Sequence, residues 1–428
     1  MIDFWDFLLL REPNIKYVLA GMVLLSVSLS LVGTFSFLRK QSLLGDAVAH
    51  AILPGICLAF MVSGSKNLFV LMVGAVLAGL VSLLAMNFIK NHSKIKSDAA
   101  VGLVMSVFFG FGILLLTYIQ QQENASQTGL DKFLFGKSAA IIDDDLWALG
   151  IVSVVLIAVI GLCFKAFQVI SFDKQFSQAI GLPVGMLEFL LSTITVLAIA
   201  VGIQAVGVVL IASLLITPSL SARFWTNNLP KMMALGVVFA IFSSWIGCFI
   251  SFVSPAMPTG PWIVVVLSGF VFGSMLFAPK NGLISKMMVQ HANQDKILQE
   301  NILKLFYKIG EQHNDFLTHR SKESLMASRS FTDYEWSKGI KKLIQNGSII
   351  NQQNGFLLTK QGLAQGKRIV KLHRLWELYL NQKLRMPADH VHNDAESLEH
   401  LITPELETLL EKELNFPDKD PHNKQIPY

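Results

Sequence analysis

Charge is scarce in this 428-residue sequence: Asp, Glu, Lys and Arg make up 15% of it, against 52% hydrophobic residues and a mean hydropathy of +0.51. A soluble chain of this length could not hide so much apolar surface in its core, so the scarcity excludes an ordinary soluble protein and points to a membrane. Cysteine is almost missing. Cys57, Cys163 and Cys248 stand alone in apolar stretches, which excludes a disulfide framework or a CxxC site and leaves them as small buried residues. No GxxxxGK[ST] run occurs, so the chain has no loop of its own to cradle ATP phosphates and is not expected to be an enzyme. The N-terminus places acidic residues before its apolar part and lacks a small-residue cleavage site, so the first span is expected to stay as an anchor. The formal net charge of +5 does not argue for nucleic acid, because basic residues in a membrane protein mostly set orientation.

Apolar runs long enough to cross about 30 Å of hydrocarbon lie near 16–38, 43–63, 68–89, 99–119, 147–165, 232–253 and 261–279, with one longer run at 187–222. As a single helix that last run would reach about 54 Å at about 1.5 Å per residue, well beyond one bilayer. Gly202-Ile203-Gln204-Ala205-Val206-Gly207 offers a break near its middle, so two short passes, or a pass and a re-entrant segment, are expected. Basic loops at Arg39/Lys40, Lys90/Lys94/Lys96, Lys165/Lys174 and Arg223/Lys231 read as cytoplasmic. The N-terminus is then outside, and the polar C-terminal region falls in the cytoplasm. That region is a different kind of chain, since 285–428 holds more than half of the charged residues in a third of the length.

Gln41-Ser42-Leu43-Leu44-Gly45-Asp46-Ala47-Val48-Ala49-His50-Ala51-Ile52-Leu53-Pro54-Gly55 puts a carboxylate and an imidazole four residues apart, on one helix face. An ionisable group inside a span costs about 2.5–3.5 kcal/mol by insertion scales, which makes it a functional candidate. Carboxylate oxygen with imidazole nitrogen suits Mn, Fe or Zn, and two such pairs from two subunits would complete a four-ligand site on a symmetry axis. The plainer alternative is a pair at a helix end satisfied by water. The segment Leu44-Gly45-Asp46-Ala47, His50-Ala51 and Leu53-Pro54-Gly55 resembles the signature of the zinc/manganese/iron class of ABC metal permeases, in which this Asp and His lie on the ion path. The resemblance runs over about 10–285 and includes Phe133-Leu134-Phe135-Gly136 and Gly207-Val208-Val209-Leu210-Ile211-Ala212-Ser213-Leu214-Leu215-Ile216-Thr217-Pro218.

Ser171-Phe172-Asp173-Lys174-Gln175-Phe176-Ser177-Gln178-Ala179-Ile180-Gly181-Leu182-Pro183 reads as a short amphipathic helix ended by Gly181 and Pro183. It resembles that family's ATPase-docking loop, which implies that Asp173, Phe176, Ala179, Gly181, Leu182 and Pro183 couple to a separate ABC ATPase subunit. The same resemblance implies an extracytoplasmic metal-binding protein and a permease homodimer or a heterodimer with a paralogue. Asp143-Asp144-Asp145 could concentrate cations outside, although such a run is more often a solvated helix start.

From about 290 the apolar stripe at Ile297-Leu298, Ile302-Leu303 and Leu305-Phe306 predicts an amphipathic helix, with shorter helices at 321–329 and 332–346. Residues 346–359 read as two short strands around Asn-Gly, the wing after a helix-turn-helix, and a long helix follows at 361–381. His392, Glu396, Glu399 and His400 lie within nine residues, and His373 and Glu377 sit four apart on the long helix. The plainer alternative is a charged, solvated helix. His373-Arg374-Leu375, Glu377, His392, Glu396, Leu398-Glu399-His400 and Asn415-Phe416-Pro417-Asp418 resemble the iron/manganese-dependent repressors of the diphtheria-toxin-repressor family, over about 295–428. The resemblance implies Glu396, Glu399 and His400 at the main metal site, His373 as a shared ligand, and Glu377 and His392 at a second site. Glu at 396 favours a hard ion such as manganese. Two departures stand out: Asn301 and Lys304 occupy the places of first-helix ligands, and the recognition helix from Thr332 begins with Asp333 and Glu335, which phosphates would repel.

The expected fold class is an all-α polytopic membrane domain of eight to nine transmembrane helices (1–285), then a cytoplasmic winged-helix α+β domain (290–360) and a helical metal-binding and dimerisation segment (361–428). The expected function is the permease subunit of an ATP-driven importer of a divalent transition metal, in a bacterial inner membrane, with a cytoplasmic metal-sensing extension and no DNA binding. The rivals are a membrane-anchored metal-dependent transcriptional regulator and an ATP-independent carrier or channel, neither of which needs a docking loop.

Overall fold

The apolar runs fold as helices α1 (Pro13–Leu38), α2 (Ser42–Ala51), α3 (Leu53–Ser63), α4 (Leu68–His92), α5 (Ser97–Gln120) and α6 (Asp143–Leu162). Two short helices, α7 (Phe164–Phe172) and α8 (Lys174–Ala179), lead to α9 (Val184–Val206), α10 (Val208–Trp225), α11 (Leu229–Val253) and α12 (Thr259–Phe277). The computed structural model describes residues 7, 9, 13–64, 67–121, 143–253, 257–352, 355–387, 400 and 402–428. The chain divides into two units, Met1–Ser285 and Lys286–Tyr428. Among the described residues eight helical segments are long and apolar enough to cross a membrane, and Leu210–Trp225 is a shorter apolar helix.

The long run breaks at Gly207, whose φ of +79° belongs to glycine, and α9 and α10 pack as separate helices. The run at 43–63 is one apolar crossing by length but two helices in structure. Pro54 causes the second break, because proline has no N–H to offer the carbonyl of His50 four residues earlier.

Without a hydrophobic driving force between helices in lipid, close backbone approach and buried hydroxyl pairs hold a bundle together. α1 uses both devices. A Cβ on Gly33 would fall 1.6 Å from the backbone oxygen of Leu215 in α10, so only glycine allows that crossing. The next residue, Thr34, shares a 2.8 Å hydrogen bond with Ser219, one turn after Leu215, and Ser26 pairs with Ser244 of α11. α3 and α4 meet the same way, through Gly55 and Gly74.

The second unit contains most of α13 (Leu283–His313), then α14 (Lys322–Ser328), α15 (Asp333–Gln345), β1 (Ile349–Gln352), β2 (Gly355–Leu358), α16 (Lys360–Leu384) and α17 (Pro404–Glu413). β1 and β2 pair antiparallel with Ile349 opposite Leu358, and Arg320 bridges to Phe356. Ile302, Phe306, Leu325, Trp336, Ile340, Ile349, Leu358 and Ile369 close one apolar core, the winged-helix arrangement expected from the sequence. Thr332 and Glu335 form a reciprocal capping box at the start of α15.

Candidate functional site

α2 carries Asp46 and His50 on one face, with His50 Nε2 3.7 Å from Asp46 Oδ1. Both stay accessible, at 46% and 30% side-chain exposure, and the His50 ring meets Phe109 edge to face. His50 Nδ1 is buried without a hydrogen-bond partner, so a ring lone pair is unspent. Two ligands each about 2.1 Å from one ion stand about 3.4 Å apart at a tetrahedral angle, so the pair is nearly spaced to share a divalent cation. α2 is held in place by Gly45, where a Cβ would press to 2.4 Å from Leu215 of α10.

In the docking segment the Asp173 side chain accepts the amide of Phe176 at 2.8 Å and caps α8. Gly181, at φ +82°, turns the chain, and the Leu182 amide bonds back to Ser177. Ser177 is buried, while Phe176, Ala179, Ile180, Gly181 and Pro183 are exposed and Leu182 half-buried, so a short helix presents an apolar outer face.

Glu188, in the first turns of α9, went unused in the sequence reasoning. Its carboxylate accepts from Arg39 Nη2 at 3.1 Å and from Lys174 Nζ at 2.9 Å, tying α8 to the α1–α2 connection that leads to Asp46. A lone acid inside an apolar run was the available signal. Arg39, Lys90, Lys174 and Glu188 line one cavity of about 320 Å³.

In the second unit the sequence-derived ligands separate. His392, Glu396 and Glu399 lie outside the described residues, as does the Phe133–Gly136 motif of the membrane half. His373 and Glu377 are both 2% exposed, with Nε2 of the imidazole 3.1 Å from Glu377 Oε1. The other nitrogen, Nδ1, lies 3.1 Å from the Lys304 ammonium on α13. His400 pairs through Nδ1 with Glu300 Oε2 at 2.5 Å, a partner that no local spacing around 400 could reveal. Among the described residues no three His, Cys, Asp or Glu side chains gather as a metal cluster. The His400–Glu300 pair has the donor chemistry for a hard divalent ion, whereas the His373–Glu377 pair has both ring nitrogens engaged.

The charges of α15 are also engaged. Asp333 pairs with Lys322 at 2.5 Å, and Lys338 reaches Asp295 at 2.6 Å, as Lys342 does too. Those lysines, Lys338 foremost, hold the Asp295 carboxyl below its ordinary range.

The fold and these groups define a multi-span membrane permease joined to a repressor-like module. The chain belongs to the ABC 3 transport family, which matches residues 12–278, and residues 359–428 match the iron dependent repressor metal binding and dimerisation domain. It is 36% identical over 414 residues to the manganese transport system membrane protein MntC of Bacillus subtilis, covering 96% of this chain and 94% of that one. It is 39% identical to the zinc transport system membrane protein TroC of Treponema pallidum, over 65% of this chain and 94% of that one. Among solved structures, PsaBC of Streptococcus pneumoniae in complex with Fab matches 65% of this chain and 98% of that one at 32% identity and a TM-score of 0.59.

Proposed function

We propose that this chain is the permease subunit of an ATP-driven importer of a divalent transition metal, with manganese as principal cargo and iron or zinc next. The observation that carries the proposal is the Asp46–His50 pair: accessible, with His50 Nε2 3.7 Å from the Asp46 carboxylate, on a helix that Pro54 ends one turn further on. The manganese and zinc transport relatives support the class of cargo.

ATP hydrolysis belongs to a separate subunit that seats on Asp173, Phe176, Ala179, Gly181, Leu182 and Pro183, and an extracytoplasmic protein delivers the ion. A second permease copy, or a paralogue, supplies the facing pair of ligands. The basic loops that line one cavity, at Arg39, Lys90 and Lys174, support a common cytoplasmic side. With α10 as a ninth, short pass, the extension falls on that same side. It serves as the regulatory module, with Glu396, Glu399 and His400 as its metal ligands and Glu300 added from α13. The regulator of transcription is disfavoured because Lys338 and Lys342, on the helix that would enter a groove, are tied to Asp295.

Asp46→Asn and His50→Ala are each expected to abolish manganese uptake into proteoliposomes or cells while the ATPase still co-purifies. Normal uptake by both variants would remove the pair from the ion path.

A further inference from the structure

We propose that Lys304 is the resident cation of the extension's buried polar centre, so that His373 and Glu377 are held together by an ammonium group and take no metal ion. Donors and acceptors fix the arrangement. An ammonium group can only donate, so His373 Nδ1, 3.1 Å from Lys304 Nζ, must offer its lone pair. The neutral ring then carries its hydrogen on Nε2 and directs it to Glu377 Oε1 at 3.1 Å. Both nitrogens are spent, and a metal ligand needs one of them free.

Charge points the same way. Lys304, His373 and Glu377 are each 2% exposed, and a buried ammonium is tolerated only where a counter-charge and hydrogen bonds replace water. The Glu377 carboxylate supplies that counter-charge through the imidazole. A divalent ion entering at His373 would meet a fixed positive charge with no water to screen it. Lys304 thus does for this pair what a metal would do, without depending on how much metal is present. The Glu300–His400 pair, one helical turn earlier on α13, differs in burial: Lys296 lies 3.8 Å from Glu300 there, but its side chain is 60% exposed and that of Glu300 20%.

This inference does not depend on the importer reading, because it concerns which residues of the extension bind an ion. The test counts bound Mn(II) by mass spectrometry on the purified full-length chain in nanodiscs after equilibrium dialysis. Differences between variants are compared, so cargo bound in the membrane half cancels. His373→Gln and Glu377→Gln are each expected to leave the count unchanged. Lys304→Glu, which exchanges the ammonium for a third hard ligand, is expected to raise the count by about one ion per chain and to make the melting temperature rise with added Mn(II). Loss of about one ion per chain in either His373→Gln or Glu377→Gln would overturn the proposal. So would a folded Lys304→Glu chain that gains no ion. Should Lys304→Glu fail to fold, the two glutamine variants still decide the matter.

Discussion

Glu188 is the residue whose loss should separate ATP hydrolysis from transport. It joins Lys174, at the start of α8, to Arg39, in the connection that leads into α2 and Asp46. Glu188→Leu keeps the side chain's bulk and removes the charge. Breaking a fully buried pair by deleting one partner costs about 3–5 kcal/mol, and an exposed one about 0–1 kcal/mol. The Arg39 side chain is 14% exposed and that of Lys174 55%, so the first figure is discounted for the arginine and the second applies to the lysine. Their combined worth is about 1–3 kcal/mol, a coupling of about 5–150-fold. In the reconstituted transporter we expect metal uptake to fall within that range while the ATPase stays bound and ATP hydrolysis loses its response to the loaded binding protein. In a double-mutant cycle, Arg39→Leu should add little to Glu188→Leu. Normal coupled uptake by Glu188→Leu, or strictly additive losses, would refute the linkage.

Other expectations concern packing and pH. Gly33→Ala forces a Cβ against the Leu215 oxygen and should cost about 1–3 kcal/mol or more, read as loss of folded protein in membranes, while Gly102→Ala, with open space around its Cβ, should be silent. Arg374, 3% exposed, grips Glu311 through two nitrogens at 2.8 and 2.5 Å and lies 3.6 Å from the buried Asp420. Arg374→Ala should therefore cost about 3–5 kcal/mol in the extension's thermal unfolding, and Arg374→Lys should rescue it poorly because the fork is lost. Asp295 has a lowered pKa through Lys338 and Lys342, and for Glu407 burial pushes upward but the bonds from Lys371 and Arg368 win and lower it. A depressed folded-state pKa gives stability that is present above the unfolded value of about 4 and lost as pH falls through the folded one. The melting temperature should thus decline as pH drops below about 4, with a shallower decline in Asp295→Asn.

What the sequence disclosed followed from chemistry carried by single residues or short spacings. Glycine at 207 announced the break between α9 and α10 because few other residues adopt its backbone angles, and Gly181 marked the end of the docking helix, whose start Asp173 caps in the structure. Pro54 stood in plain view, yet counting apolar length from 43 to 63 gave a single span, since hydropathy does not register a missing N–H. Glu188 was overlooked for a related reason: orientation is read from Lys and Arg, so an acid at the membrane edge has no place in that count. Lys304 stood out only through the family resemblance, in the place of a first-helix ligand, and its pairing, like that of Glu300, was harder still to foresee. Their partners His373 and His400 are 69 and 100 residues away, and only the crossing of α13 with the later chain brings them together.

The two carboxylate–imidazole pairs show where spacing stops being informative. Asp46–His50 and His373–Glu377 are both four apart on helices, and both resemble family metal-site motifs in sequence. Folding treats them oppositely. The first is left 46% and 30% exposed with a ring nitrogen unspent, whereas the second is 3% exposed at each side chain with both nitrogens engaged. The deciding group is in each case a third residue on another helix: Phe109 gives the His50 ring only an edge contact, and Lys304 gives the His373 ring a hydrogen bond and a charge. A pair that keeps its lone pairs can take up an ion more readily, because a ligand already satisfied must lose a hydrogen bond before it can bind. On that physical ground the membrane pair fits the ion path proposed for it, and the buried pair fits the proposed role of Lys304 in holding two helices together.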